Sequence, residues 1–444
     1  YVYPQLMEFK VGVVSAASGE VQGQLVEKAE FVEPTKLVLT LRKDVKWDSR
    51  APTNGRALTS EDVVFSWKKF AAKSVSRASL ANTASPAAPI VDITAQDANT
   101  VVVKTAFPYG PLTLALAYTR WLQIMPKESD GGFDPRKDMR GAGPWMLTKH
   151  EPSVRFEFRK NPNYWKAGRP FMDGIDAPIV AEYAQRLAQF RAGKIYGGIV
   201  NQEDIIKVKK ELPQLEVFQG EFGRATYKAY FGLRPNSPFR DQRVRQATSM
   251  LIDRDLVIET FNNTKEFKDA GWPVDARWNS MGIACGYDTY WLDPKGKDLG
   301  EGAKFFQYNV AEAKKLMDAA GIKGPIETNF VYISTSQYGT TFPRVGEAYK
   351  GMLDASGLFK LKAVNADYQT DYLPKYYFAK GDFDGIAWGA TTTFPHPVQH
   401  LLDYYHSKGS RQKVAFQGAA SSSEGQQASD ALIDKAARSL DFKE

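Results

Sequence analysis

Residues 326–390 alternate between two kinds of periodicity. "IETNFVYI" and "FKLKAV" read as strands, "RVGEAYKGMLDASG" and "YLPKYYFAKG" as helices, and "DFDGIAWGA" as a further strand. Strand, helix, strand, helix, strand in that order is the signature of a parallel α/β sheet. Such sheets take ligands outside the carboxyl ends of their strands. The segment "IAWGATTTFPHPVQH" (386–400) lies at such an end, which places Trp388 and the threonines that follow it at an expected cleft.

The rest of the chain has a different pattern. "KLVLTLR" (36–42) sets Leu37, Leu39 and Leu41 on one face, the period of a strand. "TSEDVVFSWKKFAA" starts a helix with Thr59 as N-cap and Asp62 at the third position, close to a capping box. "NTVVVKTAF" is another strand, and "EYAQRLAQFRAG" is a helix that stops at Gly193. "DQRVRQATSMLI" is a helix capped by Asp241, with Val244, Ala247 and Leu251 on one face. "NVAEAKKLMDAAG" repeats that logic with Asn309 as cap and Gly321 as stop. A length of 444 residues exceeds one ordinary core and points to two or three domains.

Composition removes several function classes. The net charge of +7 is spread among paired acids and bases, with no basic run, so a nucleic-acid footprint is not expected. The single cysteine, Cys285, rules out a disulfide within the chain. No apolar run approaches the length of a membrane-spanning helix. "YVYPQLMEFK" has neither an initiator Met nor a signal-peptide pattern, so a processed form or an internal piece is expected. There is no GxxxxGK[ST], HExxH or GxSxG, and "GAGP" (141–144) reads as a tight turn. Aromatic content is high, at 13%, which suits a core or a ligand-lining cleft. His396 and His400, spaced i and i+4 with Pro397 between them, suit a metal by spacing. No Cys or Glu stands near as a third ligand, so a helix start followed by a surface histidine is the expected reading, with metal binding as the alternative, and no metal or cofactor is expected.

"KLVLTLRKDVKWDSRAPTNGRALTSEDVVFSWKKF" (36–70) resembles the signature of the family 5 extracellular solute-binding proteins, the peptide, dipeptide and nickel binders of ABC importers. Leu41, Arg42, Val45, Lys46, Trp47, Leu58, Thr59, Glu61, Asp62, Val63 and Ser66 fit its pattern, and the loop between them is longer than the family's. "GAGPWML", "RKNPNYWKAGRPFMDGID", "NSPFRDQRVRQATSMLIDRDLVIE", "YNVAEAKKLMDAAG" and "DFDGIAWGATTTFPHP" resemble further family blocks in the same order.

The resemblance implies a two-lobed α/β periplasmic-binding-protein fold, type II, of the large peptide-binder subclass, hinged between lobes. Residues 1–231 would form the first lobe, with an extra subdomain over roughly 1–125. Residues 232–388 would form the second lobe, and 389–444 would return to the first. Both ends look cut against the family pattern. The implied partners are a peptide-like small molecule and a membrane permease, with no nucleic acid. The implied protein is a non-enzymatic monomer in the periplasm or at the outer face of the cytoplasmic membrane, where it can be lipid-anchored. A metal chelate or a sugar oligomer is the alternative ligand.

In the family's peptide binders an aspartate soon after the tryptophan pairs with the ligand's amino terminus. Here the nearest position is Thr391, between Ala390 and Thr392, and no acid follows before Asp403. Trp388 is expected at the pocket wall or in the hinge core. Tyr230 is expected at the cleft or in a core strand. Tyr338 and Arg344 are expected in the loop after strand 326–333, where Arg344 can meet a ligand carboxylate or solvent.

Overall fold

The structure is a computed structural model of the chain. It describes residues 2–10, 20–197, 200–217, 226–280, 282–287, 289–334, 336–391, 394, 396–413 and 424–439. Two compact units make up the chain: Tyr1–Val200 with Ala436–Glu444, and Asn201–Lys435.

The first unit is built on antiparallel sheets. β1 (Met7–Phe9) pairs with β2 (Val21–Gly23). β3 (Val26–Glu33), β4 (Lys36–Leu41), β5 (Ile90–Asp97) and β6 (Thr100–Thr105) form a sheet in the order β3-β4-β6-β5. β7 (Trp145–Glu151), β8 (Arg155–Lys160) and β9 (Gly174–Pro178) form another. The leucines of β4 are buried on one face, as their alternation requires. The helices here are α1 (Ser60–Lys73), α2 (Leu112–Ala117) and α3 (Tyr183–Arg191).

The block that carries the resemblance has a structural reason. The Asp62 carboxylate is fully buried and accepts from Trp47 Nε1 at 3.0 Å, Arg56 Nη2 at 2.7 Å, the Thr59 N–H at 3.1 Å and the Lys127 N–H at 3.2 Å. Arg56 also grips Glu128, its Nε donating at 2.7 Å. One acid therefore caps α1 and ties strand, loop and helix together.

In the second unit the helices are α4 (Gln202–Glu211), α5 (Gln242–Met250), α6 (Arg254–Asn262), α7 (Thr264–Asp269), α8 (Val310–Ala319), α9 (Thr341–Ala355) and α10 (Pro397–Tyr404). α11 (Glu424–Arg438) carries the chain back to the first unit. Asp241 accepts the Arg243 N–H at 2.8 Å and Asn309 accepts the Glu312 N–H at 3.0 Å, so both expected caps form.

The sheet of this unit contains β10 (Tyr227–Phe231), β11 (Ile326–Tyr332), β12 (Phe359–Asn365) and β13 (Ile386–Ala390), in the order β10-β13-β11-β12. β11 runs parallel to both β12 and β13, and β10 is an antiparallel neighbour of β13. The segment read as "YLPKYYFAKG" is π-wound over Tyr368–Tyr377, with the Tyr372 N–H on the Asp367 carbonyl at 2.8 Å and Pro374 inside it.

Candidate functional site

β10 and β13 run side by side, with Lys228 opposite Gly389 and Ala229 opposite Trp388. The pleat sends alternate residues to opposite faces. Lys228, Tyr230 and Gly389 share one face, and Tyr227, Ala229 and Trp388 share the other.

On the second face Trp388 is fully buried against α9. Its ring centroid lies 4.5 Å from that of Tyr349 and 5.9 Å from that of Phe342, and its Nε1 donates to the Phe342 carbonyl at 3.1 Å. A Cβ at Gly346 would sit 2.7 Å from the indole Cδ1, so a glycine in α9 makes room for the ring. Trp388 thus has no free surface. Burial of a side chain of this size contributes roughly 3 kcal/mol.

Beyond Trp388, at the carboxyl edge of the parallel strands, an aromatic rim stays partly open. Tyr227 is 41% exposed and meets Phe342 edge-on at 5.3 Å. Tyr338 meets Phe342 at 4.9 Å and Tyr368 at 5.7 Å. Burial raises the Tyr338 phenol well above its ordinary value. Thr391 closes the end of β13: the Thr226 N–H donates to its Oγ1 at 3.0 Å, and its own N–H donates to the Thr226 carbonyl at 2.9 Å. The Thr391 hydroxyl is therefore engaged with the neighbouring strand. Ala390 is buried beside it, and Thr392 lies outside the described residues.

On the first face the Tyr230 ring lies directly over Gly389. A Cβ there would be 2.3 Å from Tyr230 Cε2 and 2.5 Å from the Tyr372 hydroxyl. Tyr230 meets Tyr377 edge-on at 6.4 Å, and Tyr372 donates to the Trp388 carbonyl at 2.9 Å. The Tyr377 and Tyr404 hydroxyls bond to each other. Lys228 Nζ lies 3.1 Å from His400 Nε2 and donates to the Tyr405 hydroxyl. Lys413 Nζ lies 4.9 Å from the Tyr230 ring centroid. Burial pushes both lysines down to about 7, with Arg411 adding to the shift at Lys413.

The expected residues thus divide among separate places. Tyr230 belongs to the cationic face, Trp388 to the core and Tyr338 to the rim. Arg344 joins none of these. α9 begins at Thr341, ahead of the expected start, so Arg344 lies on a helix and not in a loop, with its guanidinium 3.7 Å from Glu203. His396 and His400 also diverge. His396 caps α10, its Nδ1 accepting the Val398 N–H at 3.3 Å and its Nε2 meeting Tyr290. His400 is buried with Nε2 toward the Lys228 ammonium, a neighbour that repels a metal cation. Burial, Lys228 and Arg411 hold its pKa well below the ordinary imidazole value.

The expected crossing points at 231/232 and 388/389 fall at β10 and β13, which are hydrogen-bonded neighbours in one sheet. The two compact units divide after Val200 and again after Lys435.

Comparison with known proteins gives the family. The chain belongs to the bacterial extracellular solute-binding proteins, family 5: the model of that family's middle region matches residues 20–412. A Brucella ovis protein assigned to ABC-transporter peptide binding is 25% identical over 313 residues, covering 67% of this chain and 52% of its own. The periplasmic oligopeptide-binding protein OppA of Escherichia coli is 24% identical over 394 residues, covering 81% of this chain and 65% of its own. The chain thus spans about half the length of the first of these curated relatives. Among solved structures, the periplasmic binding protein DppA of Helicobacter pylori, in complex with peptide STSA, superposes with a TM-score of 0.74 at 18% identity. That match covers 100% of this chain and 82% of the other.

Sequence reasoning passed over Lys228, Tyr372, Tyr377, Tyr404, Tyr405 and Lys413. For Lys228 a signal existed: it stands two residues before Tyr230, so strand alternation puts both on one face.

Proposed function

We propose that this chain is the solute-capturing component of an ABC importer. It works in the periplasm or at the outer face of the cytoplasmic membrane, free or lipid-anchored, as a monomer. It holds a peptide or peptide-like solute without changing it chemically and delivers it to a membrane permease. The observation that carries this reading is the family match over residues 20–412. It is supported by the oligopeptide-binding relative of Escherichia coli, whose similarity extends over 81% of this chain.

The carboxyl edge of the β11–β13 sheet is the part of the second unit we assign to the solute. Tyr227, Tyr338 and Tyr368 offer rigid aromatic surface with a hydroxyl at each tip, which suits peptide planes and apolar side chains. Tyr230 and Lys228 supply the polar face. Closure of two lobes about a hinge, which the resemblance implies, is the capture step on this reading.

Thermal unfolding with a panel of di- to pentapeptide pools, sugar oligomers, and nickel and zinc salts tests the proposal. A ligand at about a hundredfold above its Kd stabilises by roughly 2.7 kcal/mol, a readily visible shift. A shift with peptides is expected. A shift with metal salts alone, abolished by His396→Ala and His400→Ala, would replace the peptide reading by a metal-chelate one.

A further inference from the structure

The tyrosine-rich face of the second unit holds two lysines that have no carboxylate partner among the described residues. Lys228 Nζ has a neutral imidazole at 3.1 Å and a phenol as its hydrogen-bond partners, and the Tyr405 ring centroid at 4.5 Å. Lys413 Nζ donates to the carbonyls of Tyr377 at 2.6 Å and Arg411 at 2.8 Å, and lies over the Tyr230 and Tyr377 rings. Arg411 adds a third cation. Its Nη1 lies 3.8 Å from Asp403 Oδ2, and Asp403 also accepts from Gln399 and Ser410.

Ring faces, phenols and carbonyls solvate an ammonium only partly. A cation taken from water without a counter-charge is unfavourable by several kcal/mol. Lys228 nevertheless lies on β10, the edge strand of the sheet, with its side chain against α10, where a methionine or leucine would pack without that penalty. It also keeps part of its surface, as does Tyr405, while His400 and Tyr404 around them are buried. An ammonium has three donors. Among the described residues His400 and Tyr405 take two of them, which leaves one for an incoming acceptor.

We propose that the Lys228 ammonium, flanked by Tyr405, receives a carboxylate of the solute, with Lys413 and Arg411 supplying the surrounding positive field, so that the ligand is an acid. This rests on the solute-binding reading above. It locates the ligand's charged anchor on β10, away from Thr391, and gives the anchor the opposite sign to the family's aspartate. A bound carboxylate converts an unpaired buried cation into a charge-assisted pair. The same chemistry is offered by the carboxyl group of a peptide and by a non-peptide carboxylic acid.

Titration calorimetry on the full chain separates these cases. The probes are mixed-sequence di- to pentapeptide pools, each prepared as free acids and as C-terminal amides, together with succinate, glutarate and neutral sugar oligomers. Free acids are expected to bind about tenfold or more tighter than the matched amides. The preference should vanish in K228M and survive in part in K228R. A preference seen in the peptide pools assigns the carboxyl group to a peptide; binding by succinate or glutarate alone assigns a non-peptide acid. Amides that bind the unaltered protein as tightly as acids would overturn the proposal, and that comparison needs no variant to fold. So would a K228M protein, folded by circular dichroism, that keeps the preference. Binding by amides or sugars but not by acids removes the anionic anchor and leaves solute binding intact. Binding by no probe removes both.

Discussion

The Lys228 ammonium and the His400 imidazole face each other at 3.1 Å across β10 and α10, in a neighbourhood of tyrosines. A charged lysine can only donate, so Nε2 accepts and the ring stays neutral. The pair thus carries one positive charge when Lys228 is protonated, and that charge is on the lysine.

Stability of the ligand-free protein should rise between pH 7 and pH 9. Lys228 and Lys413 are pushed by burial to about 7 in the folded state, and an unfolded lysine titrates near 10.4. Below pH 7 both states are protonated and the penalty of the buried charges is fully present. Above it the unfolded chain binds more protons, so stability increases, by up to about 1.4 kcal/mol per pH unit for each lysine. The groups facing them include His400, Tyr404 and Tyr405 from α10 and its end, Tyr230 from β10, Tyr377, Lys380 and Arg411. Urea unfolding at pH 6, 7, 8 and 9 should show the rise, with K228M losing its share. A flat or falling profile would contradict the burial of these charges.

Gly389→Ala should destabilise by about 1–3 kcal/mol, because its Cβ would stand 2.3 Å from Tyr230 Cε2. Solute affinity should fall as well, since the Tyr230 ring must move. Denaturant titration together with calorimetry checks both, and an alanine variant as stable as the parent would show that the ring does not lie where described.

Trp388→Phe should separate core from pocket. The change removes the donor to the Phe342 carbonyl and leaves part of the indole volume empty, at roughly 2–3 kcal/mol. Solute affinity should be unchanged within error. A large loss of affinity at unchanged stability would return Trp388 to the pocket wall.

Asp62→Asn tests the first unit. The substitution leaves Arg56 facing a neutral amide and breaks a buried, hydrogen-bonded pair, at about 3 kcal/mol. Calorimetric unfolding should show the loss. Binding of any solute held by the second unit's face should persist while the variant is folded.

Much of this architecture is written locally in the chain. The caps Asp241 and Asn309 lie next to the helices they start, and the leucines of β4 alternate within a few residues, so pattern alone finds them. β11, β12 and β13 announce a parallel sheet because each is separated by a helical stretch. What escapes is long-range. Lys228 and Tyr230 are read from alternation as neighbours, but their meaning comes from His400, Tyr405 and Lys413, far along the chain. Trp388 looks like a cleft tryptophan at the end of a strand, yet α9 folds over it because Gly346 leaves space. Nothing local distinguishes the π-wound Tyr368–Tyr377 segment from an ordinary helix, so the packing of Tyr372 and Tyr377 on the face that holds Tyr230 could not be foreseen.

The most direct test of the account is titration calorimetry of the tightest-binding solute of the panel, followed by recovery of that solute from the complex. A saturable isotherm with one site per chain is expected, with the solute recovered chemically unchanged. No heat from any member of the panel, or a solute recovered as a cleaved or altered product, would contradict it.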